Sequence, residues 1–298
     1  MSLGVLNNLS AVYAENNLNN TSNSLSKVLQ QLSSGSKINS GADDAAGLSL
    51  VDGLAANSSA LTQSATNASE GVGLLDVADG ALSQVTSLLN RAVTLATEAS
   101  NGTLTGSQDT AANQEYQSIL DEISNIGSTT TYNGNQVFSG TAVNIYTGDS
   151  TTKGASIDAL SISSLSSASV GDTGGAMAYS TTGTATISYS ATAGEDLSTT
   201  KLDNATDAQS ALTALNSAIT DVAAQDGYVG AQINTLNSVS SVLSTQQENV
   251  ESAQNDVQAT DYSSATSAMS KYEILSQTGI SALAQANSVQ QEVTKLLQ

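Results

Sequence analysis

Two pairs of adjacent carboxylates, Asp43-Asp44 and Asp121-Glu122, are the first candidates for chemistry in this chain. Paired acids can share a proton in general acid–base work or hold a hard cation. Adjacent residues diverge on a helix, however, and no third acidic ligand stands at a spacing that would close a site. Asp43 and Asp44 precede a long apolar-periodic stretch, so they suit the positive end of a helix as caps. Asp121-Glu122 reads as a solvated helix face. The chain has no His and no Cys. That removes the commonest general base, His-ligated zinc, Ser-His-Asp arrangements, Cys nucleophiles and disulfides. No Walker A loop, EF-hand loop or GxGxxG occurs. No catalytic residue, cofactor site or metal site is assigned, and the residues point away from an enzyme.

Net charge is −20, with 7 Lys and Arg against 27 Asp and Glu. A nucleic-acid binder needs a basic footprint to displace counterions, and none is possible here. Anionic membrane surfaces are disfavoured for the same reason. Residues 1–42 carry Glu15 against Lys27 and Lys37, and residues 258–298 carry Asp261, Glu273 and Glu292 against Lys271 and Lys295. These ends cancel, so residues 43–257 hold the whole −20. Neutral ends with apolar stripes suit burial, and a charged middle suits solvent. No uninterrupted run of about 18 apolar residues marks a membrane span. The start, MSLGVLNNLS, lacks the basic and apolar regions of a cleaved signal. The expectation is no membrane insertion and export by another route.

The elements that would carry these residues are long helices. There is no Pro in 298 residues, where average usage would give about 15. Leu215, Val222, Val229, Leu236, Leu243, Val250 and Val257 form an unbroken apolar heptad. Such a series marks a rod about 65 Å long packed along another helix. A second stripe of that rod is read at Leu212, Ile219, Asp226 and Ile233, turning polar at Ser240, Gln247 and Gln254.

Residues 1–34 read as helix on Leu18, Leu25, Val28 and Leu32, and 44–100 as a second rod ended by Asn101-Gly102. Residues 109–127 read as a shorter helix closed by Gly127, and Asn133-Gly134 as a hairpin turn. Residues 140–200 are rich in Thr, Ser, Gly and Ala, with strand-like alternation at Thr184–Tyr189. Residues 262–297 form a last helix. Its candidate packing residues are Met269, Tyr272, Leu275, Ile280, Leu283, Val289, Val293 and Leu296, with Gly279 between two groups. The fold class expected is mainly α with a small β region: long antiparallel helical rods with a β-rich tip.

The stretch from Leu32 through Ser33-Ser34-Gly35-Ser36-Lys37-Ile38-Asn39-Ser40-Gly41-Ala42-Asp43-Asp44-Ala45-Ala46 to Gly47 closely resembles the N-terminal signature of bacterial flagellins. Asn16-Asn17-Leu18 fits the same pattern. Asp261-Tyr262, Met269-Ser270, Ile274-Leu275, Gln277, Gly279 and Leu283-Ala284-Gln285-Ala286-Asn287, with Leu296-Leu297, look like the C-terminal signature. The resemblance covers about residues 1–140 and 200–298. It departs where Val289-Gln290-Gln291 replaces Val-Pro-Gln, so the last helix is expected to run straighter.

The resemblance implies a self-assembling subunit of the flagellar filament, secreted through the flagellar type III apparatus to the cell exterior. It implies 1–42 with 258–298 as an inner coiled-coil domain, 43–140 and 201–257 as the rod domain, and 141–200 as the variable outward region. Implied partners are further copies of the chain, an export chaperone on the C-terminal helix, and filament cap and junction proteins. In flagellins sensed by an animal Toll-like receptor an Arg-x-Arg-Glu cluster lies on the first rod. Arg91 matches its first Arg, but Val93 and Thr94 replace the rest, which implies weak activation. Two other readings stay open: a hook–filament junction protein, and a non-polymerising coiled-coil adhesin or secretion-tip protein.

Overall fold

A computed structural model describes residues 8–148, 157–172, 178–180, 186–188 and 193–296. Among these it forms five helices: α1 (Leu9–Ser34), α2 (Ala45–Ser100), α3 (Gly106–Thr129), α4 (Ala205–Gln258) and α5 (Tyr262–Leu296). Short strands follow α3: β1 (Thr131–Tyr132), β2 (Asn135–Gln136), β3 (Val143–Tyr146), β4 (Ile157–Leu160), β5 (Ala178–Ser180) and β6 (Thr186–Ser188). They pair as antiparallel two-stranded sheets β1-β2, β3-β4 and β5-β6. The fold is mainly α with a small β region. Of the strand read at Thr184–Tyr189, only Thr186–Ser188 lies within the described residues.

Ser and Thr are indifferent helix formers because their hydroxyls compete for backbone partners. Here the hydroxyls turn onto the preceding turn instead. Thr62 donates to the Ser58 carbonyl at 2.9 Å, Thr86 to Leu82 at 3.0 Å, and Thr278 to Ile274 at 2.8 Å. The helix satisfies its own hydroxyls, so a polar sequence remains helical over long spans.

Short amides and carboxylates open four of the five helices. Asn8 Oδ1 accepts from the Ala11 N–H at 3.1 Å, and Asp44 Oδ1 from Gly47 at 2.9 Å. Asn204 Oδ1 accepts from Thr206 and Asp207, both at 3.0 Å. Asp261 Oδ1 accepts from Ser263 at 2.9 Å and Ser264 at 3.1 Å. Each removes orphan donors from a first turn. Asp44 is thus a cap, whereas Asp43 faces back into the α1–α2 connector.

The chain divides into two compact units: Met1–Ala56 with Asn249–Gln298, and Asn57–Glu248. In the second unit, Leu75, Leu82 and Leu89 of α2, Tyr116 and Ile123 of α3, and Leu215, Val222 and Leu236 of α4 share one buried cluster. α2 and α4 run antiparallel there, since Gly71 faces Leu236 and Asp79 lies beside Asp226. The second buried stripe of α4 is Ala211, Ala218, Gln225 and Gln232. That differs from the stripe read in the sequence, because Leu212, Ile219, Asp226 and Ile233 are only half-buried. Small Ala side chains let the helices approach closely, and the inner row falls on them rather than on the larger neighbours. Gln225 is fully buried, with neither side-chain amide atom hydrogen-bonded, a local cost to the rod.

α3 also differs from the helix read at 109–127. It starts earlier, where Gln108 Oε1 accepts from the Thr105 N–H at 2.8 Å, and it runs on past Gly127. Gly127 serves close approach, not termination: a β-carbon there would collide with the Leu165 carbonyl oxygen. Asn133 (φ 49°) and Gly134 (φ 79°) do form the β1–β2 turn, where positive φ is required. By length and composition alone α2 is apolar enough to cross a membrane. The expectation that no segment meets that standard is corrected here: a mixture rich in Ala, Leu and Val reaches it without an uninterrupted apolar run. Leu75, Leu82 and Leu89 of α2 are spent on the buried core.

Candidate functional site

Among the described residues no group of three or more His, Cys, Asp and Glu could hold a metal ion. The surface that stands out is in the first unit, where α1 packs along α5.

The pair is antiparallel. Asn8 Nδ2 donates to the Ala286 carbonyl at 2.9 Å, Leu18 meets Gly279, and the Thr260 N–H donates to the Gly35 carbonyl at 3.0 Å. The α1 seam is the row Ala11, Ala14, Leu18, Thr21, Leu25, Val28 and Leu32, each at least half-buried. These positions alternate steps of three and four, the coiled-coil spacing. Leu18, Leu25, Val28 and Leu32 carry the apolar part of it. Ala11, Ala14 and Thr21 escaped sequence reading because they are small or polar, although the heptad through Leu18 and Leu25 extends to Ala11. On α5 the seam is Ala265, Met269, Tyr272, Gly279, Leu283 and Ala286, with Ser276 in register.

At one end of the pair, the two connectors join. Ser36 forms an antiparallel bridge with Ala259, and the Lys37 N–H donates to the Gln258 carbonyl at 2.8 Å. Gly35 takes a left-handed φ of 72° to leave α1. Asp43 Oδ2 accepts from the N–H groups of Asn39 at 3.1 Å and Ser40 at 3.0 Å, and its other oxygen pairs with Lys27 Nζ at 2.7 Å. The Lys27 bond first, then the Asn39 N–H, lower the Asp43 pKa from 3.8 to about 2.

The outer faces of this pair are unusually apolar. Ten of the twelve exposed large apolar side chains among the described residues belong to this unit, including Leu9, Tyr13, Ile274 and Ile280. Leu275, Ile280 and Val289 lie off the α1–α5 seam, at 43%, 58% and 43% exposure. The side chains of Val293 and Leu296 fall outside the described residues. In the rod heptad, Leu215, Val222, Val229, Leu236 and Leu243 are buried, and Val250 and Val257 are half-buried. On α2, Arg91 Nη2 pairs with Glu115 Oε1 of α3 at 2.7 Å. Val93 packs against the core of the second unit, and the Thr94 hydroxyl donates to the Asn90 carbonyl at 3.0 Å.

A mainly helical chain whose two end helices form one packed unit, with large apolar side chains left facing solvent, is the architecture of an assembling structural subunit. The family model of the bacterial flagellin N-terminal helical region matches residues 5–143, and that of the C-terminal helical region matches residues 212–297. A flagellin of Halalkalibacterium halodurans is 29% identical over 290 residues, covering 97% of this chain and 98% of that one. Polar flagellin C of Vibrio parahaemolyticus is 27% identical over 389 residues, covering 100% of both. Among solved structures, Bacillus cereus flagellin aligns with a TM-score of 0.44 at 24% identity, over 63% of this chain and 94% of that chain. The chain belongs to the bacterial flagellin family. It is a structural subunit of the extracellular flagellar filament, the polymer of swimming motility.

Proposed function

We propose that polymerisation runs through the solvent-facing apolar side of the α1–α5 pair. The observation that carries this is the concentration of exposed large apolar side chains in that unit. Burial against further copies supplies the gain, and it must exceed the entropy of ordering the end helices. Leu275, Ile280 and Val289, which stand off the intramolecular seam, then contact neighbouring copies, as do Leu9, Tyr13 and Ile274.

In this reading residues 1–42 and 258–298 form the inner coiled-coil domain, 43–140 and 201–257 the rod domain, and 141–200 the variable outward region. The chain acts as a structural element without catalysis. Before export a chaperone covers the apolar face of α5, and cap and junction proteins contact the subunits at the filament's ends. Arg91, tied to Glu115 and followed by Val93 and Thr94 in place of a charged cluster, makes a poor ligand for the Toll-like receptor. Purified monomer should activate reporter cells weakly, and full activation would refute that part.

With −20 per subunit, neighbours repel at low ionic strength, so added salt should promote growth by screening. The test is negative-stain electron microscopy of the full chain at low and high salt, beside a chain lacking residues 1–42 and 258–298. Long filaments from the full chain alone, more abundant in salt, are expected. Filaments from the truncated chain, or soluble full-length particles even with filament seeds, would overturn the reading.

A further inference from the structure

The second unit contains a cavity of about 360 Å³ between α2, the β1–β2 hairpin and the β3–β4 hairpin. Its floor is apolar: Leu74, Ile145 and Leu160 are buried. The floor is close-set because Gly71 of α2 has no side chain, and a β-carbon there would collide with Ile145 Cδ1. Tyr132 walls one side. A β-carbon at Gly73 would sit 3.2 Å from the Tyr132 hydroxyl oxygen, so a second glycine lets the ring rest against α2.

The rim has the opposite chemistry. Asn133, Asn135 and Asn144 line it, and all three side chains are exposed. Each amide offers both a donor and an acceptor. Among the described residues Glu70 is the only charged one lining the cavity, and no Lys or Arg does so.

These features select a ligand class. The volume lies at the small end of ligand pockets, enough for one or two sugar rings. A sugar presents hydroxyls that donate and accept, which amides match pairwise. It also presents a patch of ring C–H groups, which suits an apolar floor and the face of a tyrosine. Among the described lining residues an anionic ligand finds no cation and meets Glu70. A metal ion finds one carboxylate where several oxygen ligands are needed.

We propose that this cavity binds a neutral sugar residue, a hexose or N-acetylhexosamine, free or at the end of a glycan, with Asn133, Asn135 and Asn144 holding its hydroxyls and Tyr132 flanking its ring. The inference does not rest on the filament reading. The test is saturation-transfer NMR on the full chain, using methyl hexosides, methyl N-acetylhexosaminides and short oligosaccharides ending in them. A hexuronic acid and a sulfated hexose serve as anionic controls. Transfer to ring C–H protons of at least one neutral sugar is expected, with a Kd near the millimolar range. The Asn135→Ala/Asn144→Ala double variant should weaken it at least about tenfold while leaving the circular dichroism spectrum unchanged. Binding of the free glycoside identifies a single residue as the ligand, and binding of oligosaccharides alone identifies a glycan terminus; either supports the site. No transfer from any neutral sugar, unchanged binding by the folded double variant, or preference for the anionic controls would overturn it.

Discussion

Gly279 of α5 is the seat of Leu18 of α1: a β-carbon at position 279 would lie 3.3 Å from Leu18 Cδ1. The glycine read in the sequence as a gap between two apolar groups is a contact of the helix pair. Gly279→Ala should be near neutral, because the helix gains about 0.5–1 kcal/mol from losing glycine while Leu18 must yield by a few tenths of an ångström. Gly279→Leu should separate the helices and suppress filament formation. Sedimentation of polymer from equal amounts of each variant reads this out. Parental yield from Gly279→Leu would show that the seam is not required.

The rod heptad is graded in burial, which grades its energetics. Leu215→Ala or Leu236→Ala, at positions 0% and 1% exposed, should cost about 2–5 kcal/mol. Val250→Ala, half-buried, should cost under about 1.5 kcal/mol. Denaturant unfolding of the monomer separates them. Equal losses at Leu236 and Val250 would mean that burial within the subunit does not set the stability of the rod.

Asp43 links the α1–α2 connector to Lys27. Its folded pKa of about 2 lies below the ordinary 3.8. The pair therefore supports the fold above the ordinary carboxylate range, and that support is lost as pH falls toward the folded value. Carbon-detected NMR titration should find the Asp43 midpoint well below those of free carboxylates, and Lys27→Met should return it upward. An unchanged midpoint in that variant would assign the shift to the Asn39 and Ser40 N–H groups instead.

Asp226 and Asp79 are like-charged neighbours across α4 and α2. Burial first, then the Asp79 carboxyl, raise the Asp226 pKa. A raised folded pKa means stability present at low pH and lost as pH rises through it. Asp226→Asn should therefore raise the melting temperature at pH 7, and the gap to the parent should close in acid. A variant less stable than the parent at pH 7 would show that the ionised carboxylate is favourable there.

The sugar site makes an independent prediction at position 71. Gly71→Ala should force Ile145 aside, since a β-carbon there meets Ile145 Cδ1. It should deform the cavity floor more than its exposed rim. Loss of sugar binding with filament growth retained is the expected pair of results, read by NMR and electron microscopy. Parental affinity in that variant would show that the floor does not shape the site.

Much of this was legible in the chain, and for physical reasons. Heptad spacing and the absence of Pro are local signals, and α4 and α5 lie nearly where those signals place them. The Asn133-Gly134 turn was legible because few other dipeptides accept positive φ. Gly127 misled because a helix terminator and a glycine of close approach look alike until the Leu165 loop is placed beside it. The second stripe of α4 misled because Ala211 and Ala218 give less hydropathy signal than Leu212 and Ile219, yet they are the residues buried.

By itself the sequence determined the helical character, the family signatures at both ends, the acidic middle and the exclusion of His and Cys chemistry. These depend on residue types and local spacing. Only the tertiary structure decided which apolar residues are spent inside the subunit and which stay available outside. Leu18 and Met269 enter the α1–α5 seam, whereas Ile274 and Ile280 do not, although all four are apolar residues of the same two helices. The rotation of each helix against its partner makes that choice, and it depends on contacts such as Leu18 with Gly279 and Ser36 with Ala259, between residues far apart in the chain.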